Sequence, residues 1–174
     1  MAFEPYGLLV LGHVLFAALW FGGGVFQVAV IGRGLMAAGP AGGGFVMALM
    51  RSGGIGKFFA ISGALAIVFG AALFGVESGD AAKYNPIADP LAGRGLFLTL
   101  GAIVAVLAYL HGLTANMPTE KKLIALCKSI TGHPTKEQAE QMGALGMKLG
   151  RQGRVGVAMV GTAMLLMLLS RVFV

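Results

Sequence analysis

The sequence predicts an all-α fold: a four-helix transmembrane bundle whose long last helix projects into the cytoplasm. Hydrophobic residues make up 57% of the 174 residues and charged residues only 11%, against roughly 25% charged in an ordinary soluble domain. The apolar runs are continuous and do not alternate with period two, which favours membrane helices over barrel strands. These observations exclude a soluble protein, and the length allows one integral membrane domain over residues 1–174.

Four segments are long enough to cross about 30 Å of hydrocarbon at about 1.5 Å per residue. They cover residues 6–31, 58–76, 95–113 and 155–174. The segment 114–154 between the last two is predicted to be a cytoplasmic loop that contains helical pieces.

Two capping patterns are visible in this loop. Thr119 is predicted to cap one helix, and Thr135 with Gln138 forms a capping-box pattern after Pro134. No proline follows Pro134, so the last helix is expected to begin near Lys136 and to continue through the membrane. The first of these helices would carry an apolar stripe at Leu123, Leu126, Cys127 and Ile130.

The basic residues predict the orientation. Of the 13 Lys and Arg residues, three lie in the loop 32–57 and seven in the loop 114–154. The positive-inside rule places both loops in the cytoplasm and both termini outside it, in a bacterial-type inner membrane. The net charge of +6 is explained by this asymmetry, and no nucleic-acid partner is expected.

One face of the first span carries the residues that can support chemistry. His13, Trp20 and Gln27 follow a three-to-four residue rhythm with Ala17 and Gly24 between them, so all five share one side of a helix. A polar group left in hydrocarbon costs several kcal/mol, and this face is therefore expected to turn inward. A histidine there can bind a metal or haem iron, move a proton, or donate a hydrogen bond to another helix.

The other candidate ligands differ in depth. His111 lies near the inner end of the third span, where it is either a ligand or a histidine at headgroup level. It is expected to lie roughly 14 Å deeper than His13, which disfavours one iron shared between them. Met164 and Met167 in the last span reach about the depth of His13. A His/Met pair could bind haem iron, and the thioethers could bind Cu(I), whereas the alternative for both methionines is packing.

The segment 13–23, HVLFAALWFGG, resembles the first helix of the copper-resistance protein D superfamily. That group includes uncharacterised four-helix membrane proteins and the haem-containing membrane protoporphyrinogen oxidase. The shared pattern is a histidine, a tryptophan seven residues later, and small residues directly after. The sequence YLHG at 109–112 is similar to the third-helix histidine motif of that oxidase.

This resemblance implies a b-type haem or a copper ion, used for electron transfer or copper passage. Where the oxidase pattern has two lysines and an arginine, this chain has Val10, Thr99 and Ala29. That difference weighs against the oxidase reaction, because the propionates of a tetrapyrrole require positive charge. The predicted cofactor-binding residues are His13, Trp20, Gln27 and His111, and the predicted metal ligands are His13, Met164 and Met167.

Two further functions remain open from the sequence. A non-catalytic accessory subunit of a larger membrane complex, or a homo-oligomer, is indicated by glycines on one side of the last helix at 143, 146, 150 and 153, since such residues allow close helix contact. The second is a solute or proton channel. If the protein catalyses a reaction, electron transfer or copper passage is expected rather than hydrolysis, because no predicted span contains Asp or Glu to act as a general base. Whether the protein is an enzyme stays open at this point. The lipid bilayer is the expected surrounding in every case.

Overall fold

A computed structural model describes residues 5–79 and 93–172, and within these two stretches the chain is almost entirely helical and contains no strand. The α-helices in chain order are α1 Pro5–Phe26, α2 Gly32–Ala38, α3 Gly43–Ser52, α4 Gly54–Gly79, α5 Gly93–His111, α6 Met117–Ser129 and α7 Lys136–Leu169. The all-α prediction is confirmed.

Four helical stretches are long and apolar enough to cross a membrane. They are Tyr6–Ala38, Gly54–Val76, Gly95–Ser129 and Lys136–Leu169. Many of their large apolar side chains are exposed on the surface of the bundle, which is compatible with contact with lipid. The predicted four-helix transmembrane bundle is confirmed, and the chain is a multi-pass membrane protein.

Two π-helical segments join neighbouring α-helices, so that two of the four helical stretches continue beyond the predicted spans. Gln27–Ile31 joins α1 to α2, and Gly112–Asn116 joins α5 to α6. In the second, the Met117 N–H donates to the Gly112 carbonyl, five residues back. The wider turn carries the helix past Leu113, where the predicted span ends. Because α5 continues into α6, no free helix N-terminus exists near Thr119.

The predicted cap at Thr119 is therefore wrong. Thr119 is buried inside α6, and its hydroxyl donates to the Ala115 carbonyl at 3.0 Å. The predicted start of the last helix is correct. The Thr135 hydroxyl accepts from the Gln138 N–H at 3.2 Å, and the Thr135 N–H donates to the Gln138 side chain at 2.9 Å, which completes a capping box.

Helix α7 contains 34 residues, and its length of about 51 Å at about 1.5 Å per residue exceeds the hydrocarbon thickness. Its first part extends beyond the bundle of spans and packs against α6. The helix ends at Leu169, a few residues before the predicted end of the span, and a turn follows through Val172.

The spans pack as two main pairs, α1 with α4 and α5 with α7, and smaller contacts between α1 and α7 and between α4 and α5 close the ring. Small residues lie at the contacts. A side chain at Gly12 would meet Phe69, one at Gly161 would meet Phe21, and one at Gly101 would meet Met167. Close approach of helices at glycine is the packing mode expected in a membrane.

A separate apolar cluster lies at the end of the bundle that carries most of the basic residues, which we call the basic end. Helices α3 and α6 and the first part of α7 form it, and the predicted apolar stripe of α6 supplies its centre. Its buried residues are Met50, Leu123, Cys127, Ile130 and Met142.

Arg51 fixes the end of α6 beside this cluster. Its guanidinium donates to the carbonyls of Cys127 at 3.1 Å and Ile130 at 2.6 Å. These carbonyls lie in the last turn of α6 and just beyond it, where no further turn of helix provides a donor. A positive charge is also favourable at the negative end of a helix dipole.

Candidate functional site

His13 lies on the face of α1 that contacts α4, as the spacing of the polar residues predicts. Its Nδ1 atom is 2.8 Å from the Ala66 carbonyl oxygen. The imidazole packs over Gly70, where an added Cβ would lie 2.8 Å from the ring. Because a carbonyl can only accept, Nδ1 carries the hydrogen, and in the neutral imidazole the free lone pair is then on Nε2. This tautomer is the one that a metal-binding histidine usually adopts when the carbonyl of a neighbouring helix orients it.

Trp20 and Gln27, predicted on the same face, lie further towards the basic end. The Trp20 ring meets the Tyr109 ring edge to face, with centroids 6.1 Å apart, and both rings pack on Gly63 of α4. Trp20 and Gln27 line a partly open cavity of about 130 Å³ between the four spans, α3 and α6, which we call the basic-end cavity. His13 is not among the residues that line it.

His111 occupies a different place. Its Nε2 atom is 3.1 Å from the backbone carbonyl oxygen of Gln152 on α7, so Nε2 carries the hydrogen and the side chain ties α5 to α7. Tyr109, two residues before His111, donates to the Ala60 carbonyl of α4 at 3.3 Å. His13 donates to the Ala66 carbonyl, which lies further along α4 from the basic end. The two histidines are thus not brought together, in agreement with their predicted separation in depth.

Met167 packs on Gly101 of α5, where an added Cβ would lie 2.9 Å from the methionine Cγ. Phe21 of α1 meets Gly161 of α7, and the two helices run in opposite directions. Met167 is six residues beyond Gly161 in α7, and His13 is eight residues before Phe21 in α1. At about 1.5 Å per residue, Met167 therefore lies about 9 Å further from the basic end than this contact, and His13 lies about 12 Å further. The two residues are therefore at similar depth, although Met167 contacts α5 and His13 contacts α4.

Met164 lies one turn closer to the basic end than Met167 and is half-buried. Within residues 5–79 and 93–172, no three His, Cys, Asp or Glu side chains converge in a group that could hold a metal ion. A metal at His13 would thus depend on methionine or on lipid-side ligands.

The donor atoms of the predicted ligands suit copper, because imidazole and thioether groups bind Cu(I). The basic-end cavity, at about 130 Å³, is smaller than the roughly 300 Å³ at which pockets for small molecules begin. This volume describes the space beside Trp20 and Gln27, since His13 does not line the cavity.

Sequence reasoning missed three polar residues near the basic end. The Glu120 carboxylate accepts from the Gly56 N–H at 2.9 Å, in the first turn of α4. Asn116 and Gln152 each have a buried side-chain oxygen that makes no hydrogen bond within the described part of the chain. Asn116 and Glu120 lie beyond the predicted span, in the segment 114–154 that is predicted to be a loop with helical pieces. Their four-residue spacing, continued to Leu123, was the signal that could have placed them on one helix face.

Comparisons with known proteins gave no match. No protein-family model, no curated protein and no solved structure matches this chain.

Proposed function

We propose that this chain is a small four-span membrane protein that binds a copper ion through His13, for copper passage or electron transfer. The observation that carries the proposal is the hydrogen bond from His13 Nδ1 to the Ala66 carbonyl at 2.8 Å. It fixes the ring against α4 and, in the neutral imidazole, leaves the Nε2 lone pair free to bind a metal, as in many histidine metal sites.

Methionine side chains support copper as the ion. Met167 reaches about the depth of His13, and both residues lie in the half of the bundle away from the basic end. Thioether and imidazole together select Cu(I) over harder ions. The resemblance of segment 13–23 to the copper-resistance protein D superfamily points to the same chemistry. A b-type haem held by His13 is the second cofactor considered, and it would require the helices around His13 to separate further.

The distribution of basic residues supports an orientation. With the basic end in the cytoplasm, both termini lie outside it and His13 lies in the outer half of a bacterial-type inner membrane. In this orientation the copper would be received from the outer side.

The test is cofactor analysis of the protein purified in detergent. We expect copper to co-purify with the wild-type chain and to be lost in His13→Ala. His133→Ala is the matched control, since His133 is exposed in the segment between α6 and α7, and its copper content should equal that of wild type. A visible Soret band that disappears in His13→Ala would indicate haem in place of copper. Colourless, metal-free wild-type protein after copper loading would reject both cofactors.

A second candidate function is that of an accessory subunit in a larger membrane complex. The glycines at 143, 146, 150 and 153 on one side of α7 support this function. Side chains added at Gly143 and Gly146 would meet nothing within 4 Å among the described residues, whereas one at Gly153 would meet Val28. The exposed part of this face is therefore open to another helix. Co-purification of a fixed partner that persists in His13→Ala and is lost in Gly146→Leu would favour this function.

A further inference from the structure

The basic-end cavity contains a set of oxygen atoms that the copper proposal does not use. Its polar lining residues include Gln27, Asn116 and Glu120, which come from three different elements. Gln27 is the first residue of one π-helical segment, and Asn116 is the last residue of the other. Such segments occur frequently at functional sites because the wider turn redirects side chains.

The amide oxygen of Asn116 is buried and makes no hydrogen bond with any residue that the structure describes. A buried acceptor of this kind is rare in native proteins and calls for a partner that the chain itself does not supply. Asn116 is among the residues that line the cavity, so a ligand bound there would lie next to this side chain.

Glu120 supplies the charge. Its Oε1 atom accepts from the Gly56 N–H at 2.9 Å, and a side chain at residue 56 would collide with the carboxylate. The backbone donor carries no formal charge, so this hydrogen bond positions the carboxylate without neutralising it. Glu120 is half-buried and lines the cavity, and a positive ligand beside its carboxylate would offset the cost of burying the charge.

We propose that the basic-end cavity binds a monovalent metal cation of the size of Na⁺. The Glu120 carboxylate balances its charge, and the side-chain oxygens of Asn116 and Gln27 act as neutral ligands. Oxygen donors suit hard cations. A single carboxylate matches a single positive charge, whereas a divalent ion would leave an excess positive charge beside the N-terminus of α4.

The size of the cavity agrees with this ligand. Its volume of about 130 Å³ accommodates an ion with a few waters, each of which occupies about 30 Å³ in the liquid. Choline is an organic cation with several bulky methyl groups and leaves no room for the waters that complete the coordination. The site is independent of His13, which does not line this cavity.

The experiment uses the full chain in detergent and follows the emission of Trp20, which is the single tryptophan and lines the cavity. NaCl is titrated against choline chloride at constant ionic strength, and the melting temperature is recorded in parallel. We expect a saturable emission change and a higher melting temperature with NaCl. Glu120→Gln, which keeps an acceptor for the Gly56 N–H but removes the charge, should abolish both effects.

Asn116→Ala provides a second variant that leaves the contact between Glu120 and α4 in place. It should raise the half-saturating NaCl concentration about tenfold, as expected for the loss of about 1.4 kcal/mol of binding. Glu140→Gln on an exposed face of α7 is the matched charge control and should titrate like wild type.

Several outcomes would overturn the proposal. These are no response of either readout to NaCl in wild type, an equal response to choline, an unchanged titration in Glu120→Gln, or a saturable response to MgCl₂ alone. The first would mean that the cavity holds only water.

Discussion

The imidazole of His13 rests directly on Gly70, so that a Cβ at residue 70 would lie 2.8 Å from its ring. The absence of a side chain at that position allows α1 and α4 to approach closely enough for His13 to reach the Ala66 carbonyl. This contact joins the packing of the two helices to the orientation of the candidate ligand.

Gly70→Ala should therefore destabilise the protein and disturb the proposed copper site. We expect a loss of about 1–3 kcal/mol in the free energy of unfolding, as for other overpacked cores, together with weaker copper retention. Gly75→Ala is the control, because an added Cβ there would meet none of the described residues within 4 Å, and alanine is the better helix former. Denaturant unfolding in detergent measures the free energy of unfolding of both variants. Equal stability of the two variants would contradict the close contact at Gly70.

Leu123→Ala should strongly destabilise the cluster at the basic end. Leu123 is 2% exposed, and truncation of a buried leucine typically costs about 2–5 kcal/mol. Met147→Ala at a position that is 74% exposed should change the stability little. Unfolding followed by circular dichroism compares the stability of the two variants. A similar loss of stability in both would show that the cluster stabilises the protein less than its burial indicates.

Arg51→Ala should loosen the end of α6. The substitution removes both hydrogen bonds to the Cys127 and Ile130 carbonyls. We expect the free energy of unfolding to fall by about 1–2 kcal/mol, because Arg51 is exposed and water replaces part of the interaction. Arg33→Ala, which removes an exposed basic residue from α2, is the control. Hydrogen exchange should accelerate in the last turn of α6 in the first variant only.

Thr135→Ala should fray the start of α7. Loss of an N-cap side chain costs about 1 kcal/mol, and the effect should be confined to faster hydrogen exchange in the first turn of the helix. Thr135→Ser keeps the hydroxyl and should exchange like wild type. Protection that is unchanged in Thr135→Ala would mean that tertiary contacts, and not the capping box, hold this end.

The sequence predicted the features that depend on local patterns. Apolar length located the four spans, and the Thr135 and Gln138 spacing located the start of α7. Periodicity predicted that the His13 face turns inward, and the structure adds that it meets α4. The prediction failed at Thr119, because a threonine before a polar run looks like a cap whether or not the preceding helix continues. The π-helical turn at 112–116 removes the break that the interpretation assumed, and it leaves no simple signature in the side chains.

The partners of the candidate residues could not be predicted for a different reason. The Ala66 carbonyl lies 53 residues from His13 in the chain, and Gly56 lies 64 residues from Glu120. Such pairs depend on how the helices are ordered around the bundle and on their relative height, which periodicity within one helix does not determine. The cavity that combines Gln27, Asn116 and Glu120 is non-local in the same sense. The predicted copper ion, its ligands and the orientation in the membrane stay predictions.

Helix α7 runs without interruption from Lys136 to Leu169, with Met142 buried at the basic end and Met167 against Gly101 at the far end. One unbroken helix thus joins the apolar cluster at the basic end to the Met167 contact on α5. If α7 tilts as a rigid body, a displacement of its first turns will also move Met167 at the far end of the bundle.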